Sequence, residues 1–561
     1  MKVLLVAVNA KYIHTCPAIY SLKAFAEEYA DISAVIETAE YTINDRYQDV
    51  LSGVMSHHAD IIGFSTYIWN VDRVRQLIRD IRAVRGRDVM IWAGGPEASN
   101  EPEPFLMEDG ADLCMIGEGE EVFAELLRRA GTVGTKTQPE SKPRLDLTGL
   151  SVLQGVAFLK RAPDETPGPA PEVPVMISTG YARPVALDRI PFLYQDLTLF
   201  HDRIVYYEAS RGCPFACAYC LSGKERGVRH RDLTVVEKEL QFFLDHNLKQ
   251  VKFVDRTFNA DEAFAMHVWT YIRDHDNGIT NFHFEIEAAR LTKKEIQLVS
   301  TMRPGLIQME IGVQSANPET LRSVNRNPDL SRIREAMIVL TEKQNINLHL
   351  DLIAGLPFED YESFRNSFNV VYDMNPHQLQ VGFLKLLRGT RLYEKREAYG
   401  LVCSADAPYE VLQTRWISYE ELDRLRRISD RVEEYVNSQG FRRTLALAVR
   451  MFSDPFGMFE ELEDWYRTNG YDMIRVSAQK RYEIFGRFIQ EMAAKSQEVP
   501  EELAAQTLEM LRFDRNLHIH PARHMVVEDE IRLNGEKARY RFDHRRCSPV
   551  NKEACFERLQ E

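Results

Sequence analysis

Cys213-Pro-Phe-Ala-Cys217-Ala-Tyr-Cys220 follows a strand-like run, Ile204–Glu208, and a turn written Ser210-Arg211-Gly212. Three thiolates at these spacings can each take one iron of a single [4Fe–4S] cubane. The loop has no fourth cysteine, so one iron is open to an external chelate. Exposure and hydrogen bonding tune the potential of such thiolate-held clusters. A structural zinc site would need four closed ligands, and neither His201 nor His230 stands at a finger-like spacing. Three unrelated buried thiols would not explain the grouping.

Downstream of this loop, strand-like runs recur at Gln250–Val254, His283–Glu287, Gln308–Val313, Asn347–Ile353 and Gln378–Leu384, with helical segments between. With Ile204–Glu208 they make six units. That predicts an incomplete (β/α)6 barrel over 201–405, smaller than the roughly 250-residue closed barrel. Upstream, residues 1–130 also alternate: strands at Val3–Val8, Ala34–Glu37, Asp60–Tyr67, Val89–Trp92 and Leu113–Ile116, and helices such as Val71–Val84. This pattern predicts a parallel α/β sheet with its ligand at the strands' carboxyl ends. Residues 131–200 read as a linker because Thr135–Pro143 and Ala162–Pro174 are rich in Pro, Thr and Gly; Gly155–Lys160 fits one arm of a small hairpin. Residues 406–561 read as a mainly helical accessory domain that ends in strands over Met525–Phe542.

Composition bounds the function. The 561 residues carry 70 Lys+Arg against 84 Asp+Glu, a net charge of −14. A negative balance argues against broad nucleic-acid or anionic-membrane binding, which needs a positive field. The basic stretch Lys537–Arg546 reads as a solvated strand and tail. No apolar run is long enough to span a bilayer, and Met1–Val8 is too short for a signal segment. The expectation is a cytoplasmic enzyme. Eight cysteines in so long a chain do not suggest a disulfide framework.

Beside the cysteines stand Tyr207-Glu-Ala-Ser-Arg-Gly212, Phe253-Val-Asp-Arg-Thr-Phe-Asn259, Glu310-Ile-Gly-Val-Gln-Ser315, Asp351-Leu-Ile-Ala-Gly-Leu-Pro357 and Phe383-Leu-Lys-Leu-Leu-Arg-Gly-Thr390. Over residues 1 to about 400 the chain resembles the radical S-adenosylmethionine superfamily, and within it the subgroup with an N-terminal cobalamin domain. The resemblance implies that Tyr219 lies near the adenine. It also implies that Asp255 takes the methionine amino group, with Asn259 a weaker candidate, although this sequence lacks the common Gly-Gly-Glu there. Glu287 and Gln314 would meet ribose or carboxylate, and Gly355 would let backbone approach the adenine. Competing structural roles are a turn for Gly355 and salt bridges for the carboxylates.

In residues 1–130 the resemblance implies a Rossmann-like cobalamin module. Ser65, Thr66, Gly94 and Gly95 would contact the corrin and its nucleotide tail, with Glu118 and Gly119 of Gly117-Glu-Gly-Glu120 nearby. The histidine-ligating motif DxHxxG is absent: around His14, Tyr12 stands two before and Pro17 three after. His14 is either a cobalt-side residue or an ordinary loop histidine, while Tyr67 or Trp69 would shield the lower face.

Such proteins use the cluster to cleave S-adenosylmethionine to a 5′-deoxyadenosyl radical, and many then methylate an unactivated carbon through methylcobalamin. The cofactors supply that chemistry and the protein orients them. An electron donor such as flavodoxin or ferredoxin is implied. Cyclisation or rearrangement without methyl transfer is the alternative, and a non-enzymatic corrinoid- or metal-binding protein the second. Cys547 and Cys555 could join a second metal site, but scattered single thiols, Cys403 among them, are more often inert.

Overall fold

The computed structural model describes residues 1–31, 33–133, 147–160, 175–224, 227–472, 476–495, 499–519, 526–533, 536–546 and 555–559. The Pro/Thr/Gly-rich stretches read as linker, and Cys547, fall outside these residues.

The first sheet has seven strands: β1 (Lys2–Asn9), β2 (Val35–Thr42), β3 (Ile61–Ser65), β4 (Met90–Gly94), β5 (Leu113–Met115), β6 (Val156–Lys160) and β7 (Val175–Ser178), in the order β2-β1-β3-β4-β5-β6-β7. The first five pair in parallel, and β6 and β7 join antiparallel. Residues 156–160 and 175–178 therefore extend the sheet, which corrects the reading of 131–200 as a linker only. Their alternation is short, and the surrounding Pro/Gly-rich composition masked it.

Apolar runs on β1, β3 and β4 are buried on both faces because helices cover both. Ile19, Phe25, Phe123 and Leu127 fill one side; Val50, Val74, Ile78 and Phe105 fill the other. The strand order reverses direction between β1 and β3. In open α/β sheets a ligand sits outside the carboxyl ends at such a switch.

The second sheet is fully parallel, in the order β15-β14-β13-β12-β11-β8, from β8 (Val205–Tyr207), β11 (Gln250–Phe253), β12 (Asn281–Ile286), β13 (Ile307–Gln314), β14 (Asn347–Ala354) and β15 (Gln378–Phe383). It is the expected six-stranded partial barrel. An antiparallel hairpin of β9 (Ser210–Cys213) and β10 (Gly227–His230) follows β8 and carries the first cysteine. A further small hairpin pairs β16 (Val402–Cys403) with β17 (Val411–Gln413).

Beyond it the chain is mainly helical. Tyr419–Val432 starts at a capping box, in which Ser418 and Glu421 satisfy each other's backbone N–H. Leu422, Leu425, Phe456, Leu462, Phe485 and Ile489 from three of these helices belong to the same hydrophobic core as the barrel. The helices thus complete the barrel's outer layer. A terminal antiparallel sheet, β18 (Val526–Leu533), β19 (Glu536–Asp543) and β20 (Phe556–Arg558), has its own small core around Phe513 and Phe542. No helix among the described residues is long and apolar enough to cross a membrane.

Candidate active site between the two sheets

The hairpin fixes where the cysteines lie. Gly212 has φ +105°, and a Cβ there would sit 2.2 Å from the Gly227 carbonyl oxygen. Only glycine lets β9 and β10 close, so the Gly before Cys213 is structural. The rest of the loop is held by its backbone. Ala218 N–H donates to the Val324 carbonyl (2.8 Å), Leu392 N–H to the Ala218 carbonyl (2.9 Å), and the Asn325 amide to the Ala216 carbonyl (2.8 Å).

Cys213, Cys217 and Cys220 are all half-buried free thiols on one short loop. Cys213 Sγ lies 3.5 Å from Thr257 Oγ1, and Arg326 Nη1 3.8 Å from Cys217 Sγ. Burial raises the Cys217 thiol above its ordinary value, against the pull of the Arg326 guanidinium. Among the described residues no three His, Cys, Asp or Glu side chains stand close enough to share one ion. A cubane does not ask that of them, since each thiolate takes a different iron. Three accessible thiols, with the Arg326 guanidinium donating to one sulfur and the Thr257 hydroxyl beside another, fit such a cluster.

Around the loop the other barrel residues sort differently. Tyr219 packs on the barrel core beside the cysteines. Glu287 caps a short turn and pairs with Arg326 at 3.0 Å, while Asn259 exchanges two hydrogen bonds with the Glu287 backbone. Gln314 adopts φ +73° at an irregularity in β13, and its buried Oε1 has no hydrogen-bond partner. A left-handed non-glycine residue with an orphaned amide oxygen is a strained, ligand-ready position. Asp255 departs from expectation. It is fully buried, accepting from Ser210 Oγ (2.5 Å) and Ala209 N–H (3.1 Å), and burial pushes its carboxyl up to about 7. It therefore anchors the root of the cysteine hairpin from below. Gly355 has φ +86°, but a side chain there would meet Leu422, Leu384 and Val411. The turn needs its glycine, and protein covers that side.

A cavity of about 860 Å³ opens between the hairpin and the first sheet. Its walls on the sheet side come from the β1/β3 switch point and the ends of β4 and β5: His14, Ser65, Tyr67, Trp69, Gly94, Gly95, Glu118 and Gly119. Gly95 has φ +101°, with its missing Cβ 2.7 Å from the Thr66 carbonyl oxygen, and a Cβ on Gly119 would come within 2.9 Å of Leu22. At both positions a Cβ would strike protein, so these glycines let the loops at the strand ends pack closely along the cavity wall. Thr66 is not part of that wall. It is fully buried, and its hydroxyl bridges the Gly94 carbonyl (2.8 Å) and Ala98 N–H (3.0 Å). Tyr67 and Trp69 stack with ring centres 4.4 Å apart, and Trp69 Nε1 donates to the Val8 carbonyl. His14 Nδ1 lies 2.5 Å from the Tyr206 hydroxyl of β8, while burial and Lys11 lower its pKa. His14 thus couples the first sheet to the barrel.

An ion-pair network missed at the sequence level closes the same gap. Arg211 reaches Glu118 (3.0 Å), Glu120 (2.9 Å) and Glu208 (2.7 Å), and Arg229 also pairs with Glu118. Burial pushes the Glu120 carboxyl up, but Arg211 outweighs it and leaves it below its ordinary value. The Ser-Arg-Gly turn was the visible signal. Its arginine holds the cysteine hairpin against the strand ends of the first sheet.

The fold and site define a radical S-adenosylmethionine protein with a corrin-binding module. Family models agree: the B12 binding domain matches residues 3–127, the Radical SAM superfamily residues 207–371, and a protein of unknown function (DUF4080) residues 397–546. The chain is a cobalamin-binding radical S-adenosylmethionine protein, and the cofactors of its domains are cobalamin, a [4Fe–4S] cluster and S-adenosylmethionine. It is 24% identical to 2-(S-pantetheinyl)-carbapenam-3-carboxylate methyltransferase of Streptantibioticus cattleyicolor, over 64% of this chain and 51% of that protein. It is also 24% identical to the cobalamin-dependent radical SAM methyltransferase TokK of Streptomyces tokunonensis, over 68% of this chain and 55% of the relative. The chain thus spans about half the length of these relatives. Among solved structures it resembles the cobalamin-dependent S-adenosylmethionine radical enzyme OxsB (TM-score 0.59, 14% identity, 91% of this chain and 84% of that one). It also resembles the methyltransferase TsrM of Kitasatospora setae (TM-score 0.54, 16% identity, 72% and 79%).

Proposed function

We propose that this chain is a cobalamin-dependent radical S-adenosylmethionine enzyme that methylates an unactivated carbon. The observation that carries the reading is the single cavity, walled on one side by the first sheet's switch point and on the other by the cysteine hairpin. Cys213, Cys217 and Cys220 would hold the cluster, and Tyr219, Glu287 and Gln314 would receive S-adenosylmethionine. Ser65, Gly94, Gly95, Glu118 and Gly119 would cradle the corrin, with Tyr67 and Trp69 against its lower face.

Bound together, these groups supply one-electron cleavage of the sulfonium and a transferable methyl group. The chain's own work is placement. Asp255 fixes Ala209 and Ser210, the start of the hairpin, and Arg211 ties that hairpin to Glu118 and Glu120. Arg326 holds Glu287 beside Cys217. Holding reactants in register in this way is worth several kcal/mol of barrier. Both relatives named above are methyltransferases. The chain is proposed to act in the cytoplasm, with a small reductant such as flavodoxin or ferredoxin.

Protein reconstituted anaerobically with iron, sulfide and cobalamin tests this. With S-adenosylmethionine and reductant it is expected to release 5′-deoxyadenosine, and S-adenosylhomocysteine in an amount that depends on cobalamin. Release of 5′-deoxyadenosine alone would favour rearrangement over methyl transfer. Neither product would sink the reading.

A further inference from the structure

The cavity also opens into the barrel, whose interior has an uncommon chemistry. Closed barrels of this kind fill their interior with branched apolar side chains. Here the period-2 alternation turns the apolar residues out, onto the helices. On β13, Ile307, Met309, Ile311 and Val313 are buried in the outer core, while Gln308, Glu310 and Gln314 are half-buried. On β14, Leu348, Leu350 and Leu352 are buried, and Asn347, His349 and Asp351 are half-buried. Lys252 of β11 reaches Glu310 of β13, two strands away, at 3.2 Å. Only the concave side permits that contact, so this polar row faces the lumen.

Part of the row is charge-paired from within, although His283 Nε2, His349 Nε2, Asp351 Oδ1 and Asn347 Oδ1 lack a well-formed hydrogen bond. Glu310 takes both Lys252 and His283 Nε2 (3.0 Å), and His349 Nε2 lies 3.1 Å from Asp351. Glu285, at the mouth, is left over. It accepts no hydrogen bond among the described residues, and its nearest cation, the largely exposed Arg256 guanidinium, stands 4.0 Å away. Lys252, Arg256 and Glu285 all line the cavity. A carboxylate only 27% exposed and without a close donor gains when a ligand supplies one.

We propose that the substrate is a small hydrophilic molecule bearing a protonated amine, which seats on Glu285 while the rest hydrogen-bonds along the polar lumen. This rests on the catalytic reading above and adds the substrate's chemistry to it. An apolar acceptor would leave Glu285 without a donor, and sites built for hydrogen bonds strongly reject partners that lack them. Burial, with Glu310 and Asp351 nearby, holds the Glu285 carboxyl up near 7, so an arriving ammonium would draw it into its charged form.

The test uses the full chain reconstituted with iron, sulfide, cobalamin and S-adenosylmethionine, and three probes of one shape: n-butylamine, n-butanol and butyrate. By competition calorimetry, butylamine is expected to bind about tenfold tighter than butanol, with butyrate weakest. Glu285→Gln keeps the shape and should bring the amine-to-alcohol ratio close to one. Lys252→Gln, which removes an interior cation, should tighten butylamine. Equal binding of the three probes, or an unchanged ratio in Glu285→Gln, overturns the proposal. So does a Glu285→Gln protein that loses affinity for S-adenosylmethionine in place of butylamine. Wild-type protein that makes no 5′-deoxyadenosine counts against the catalytic reading; 5′-deoxyadenosine without amine preference counts against the substrate class alone.

Discussion

The Tyr409 hydroxyl donates to Glu97 Oε2 at 2.9 Å, joining the C-terminal region to the first helix after β4, 312 residues earlier. The contact has company. Arg388 pairs with Glu101 and lies over the Tyr409 ring, 5.4 Å from its centre, and Ala407 packs on the core of the first sheet. Lys224, just after the cysteine loop, meets Asn100 (2.5 Å) and the Tyr181 hydroxyl (3.1 Å). Three parts of the chain therefore meet at one rim of the cavity. The C-terminal region helps set the gap that the Arg211 network spans on the cysteine side.

Tyr409→Phe removes the donor and keeps the ring. Glu97, already pushed above its ordinary value by burial, loses the bond that opposes that push. A hydrogen bond to a charged group is worth about 1.5–3 kcal/mol. We expect a loss near the lower end, seen as a lower urea midpoint. We also expect the fluorescence and circular-dichroism transitions to separate as the first sheet uncouples from the barrel. A variant that unfolds at the wild-type midpoint in one coincident transition removes the brace.

Gly212→Ala should act on the cysteine hairpin alone. Its φ of +105° and the 2.2 Å approach to the Gly227 carbonyl leave no room for a methyl group. Such positions cost roughly 1–3 kcal/mol when occupied by other residues, and here β9 and β10 would part. The expected outcome is a folded protein that binds cobalamin but retains little iron after anaerobic reconstitution. Full iron loading would show that the hairpin does not position the thiols.

How much of this was legible follows from what each residue answers to. The cysteine loop, the two parallel sheets and the small residues at β4 were readable because local spacing and periodicity determine them. Asp255 misled because its motif position says nothing of depth. Only the fold shows Ser210 and Ala209 consuming its oxygens. Arg211 stood in a readable Ser-Arg-Gly turn, but its role and that of Arg326 were not legible because their partners Glu120 and Glu287 lie 91 and 39 residues away. The polar lumen was half readable: Gln308-Met-Glu-Ile-Gly-Val-Gln314 alternates in plain view, but which face turns inward is settled by the helices outside.

Arg326 offers a two-residue test. It is half-buried, bonded to the buried Glu287 carboxylate and the Gly312 carbonyl, with Cys217 Sγ at 3.8 Å. Arg326→Met strands the Glu287 carboxylate, and breaking a buried pair from one side costs about 3–5 kcal/mol. Adding Glu287→Gln removes the stranded charge. The double variant is expected to regain about half of the lost stability by denaturant unfolding, yet to stay impaired in 5′-deoxyadenosine release. Additive losses in the double variant would mean that the two residues do not act as a pair.

Glu359 gives the pH dependence of the barrel. It is 1% exposed, accepts from the Ser315 and Ser367 hydroxyls, and burial raises its carboxyl from 4.5 to about 7. The folded state thus holds the proton more tightly than the unfolded chain. Its contribution is fully present below the unfolded value and is lost as pH rises through about 7. At about 1.4 kcal/mol per unit, the loss between pH 5 and pH 8 is on the order of 2–3 kcal/mol. Asp255 and Glu285, also raised to about 7, add slopes of the same sign, so the wild-type profile alone does not isolate one group. Glu359→Gln does. It mimics the protonated form and keeps an acceptor for both serines, so its urea midpoint should match wild type at pH 5 and exceed it at pH 8. A variant that loses stability equally at both values would show that Glu359 is ionised in the folded barrel.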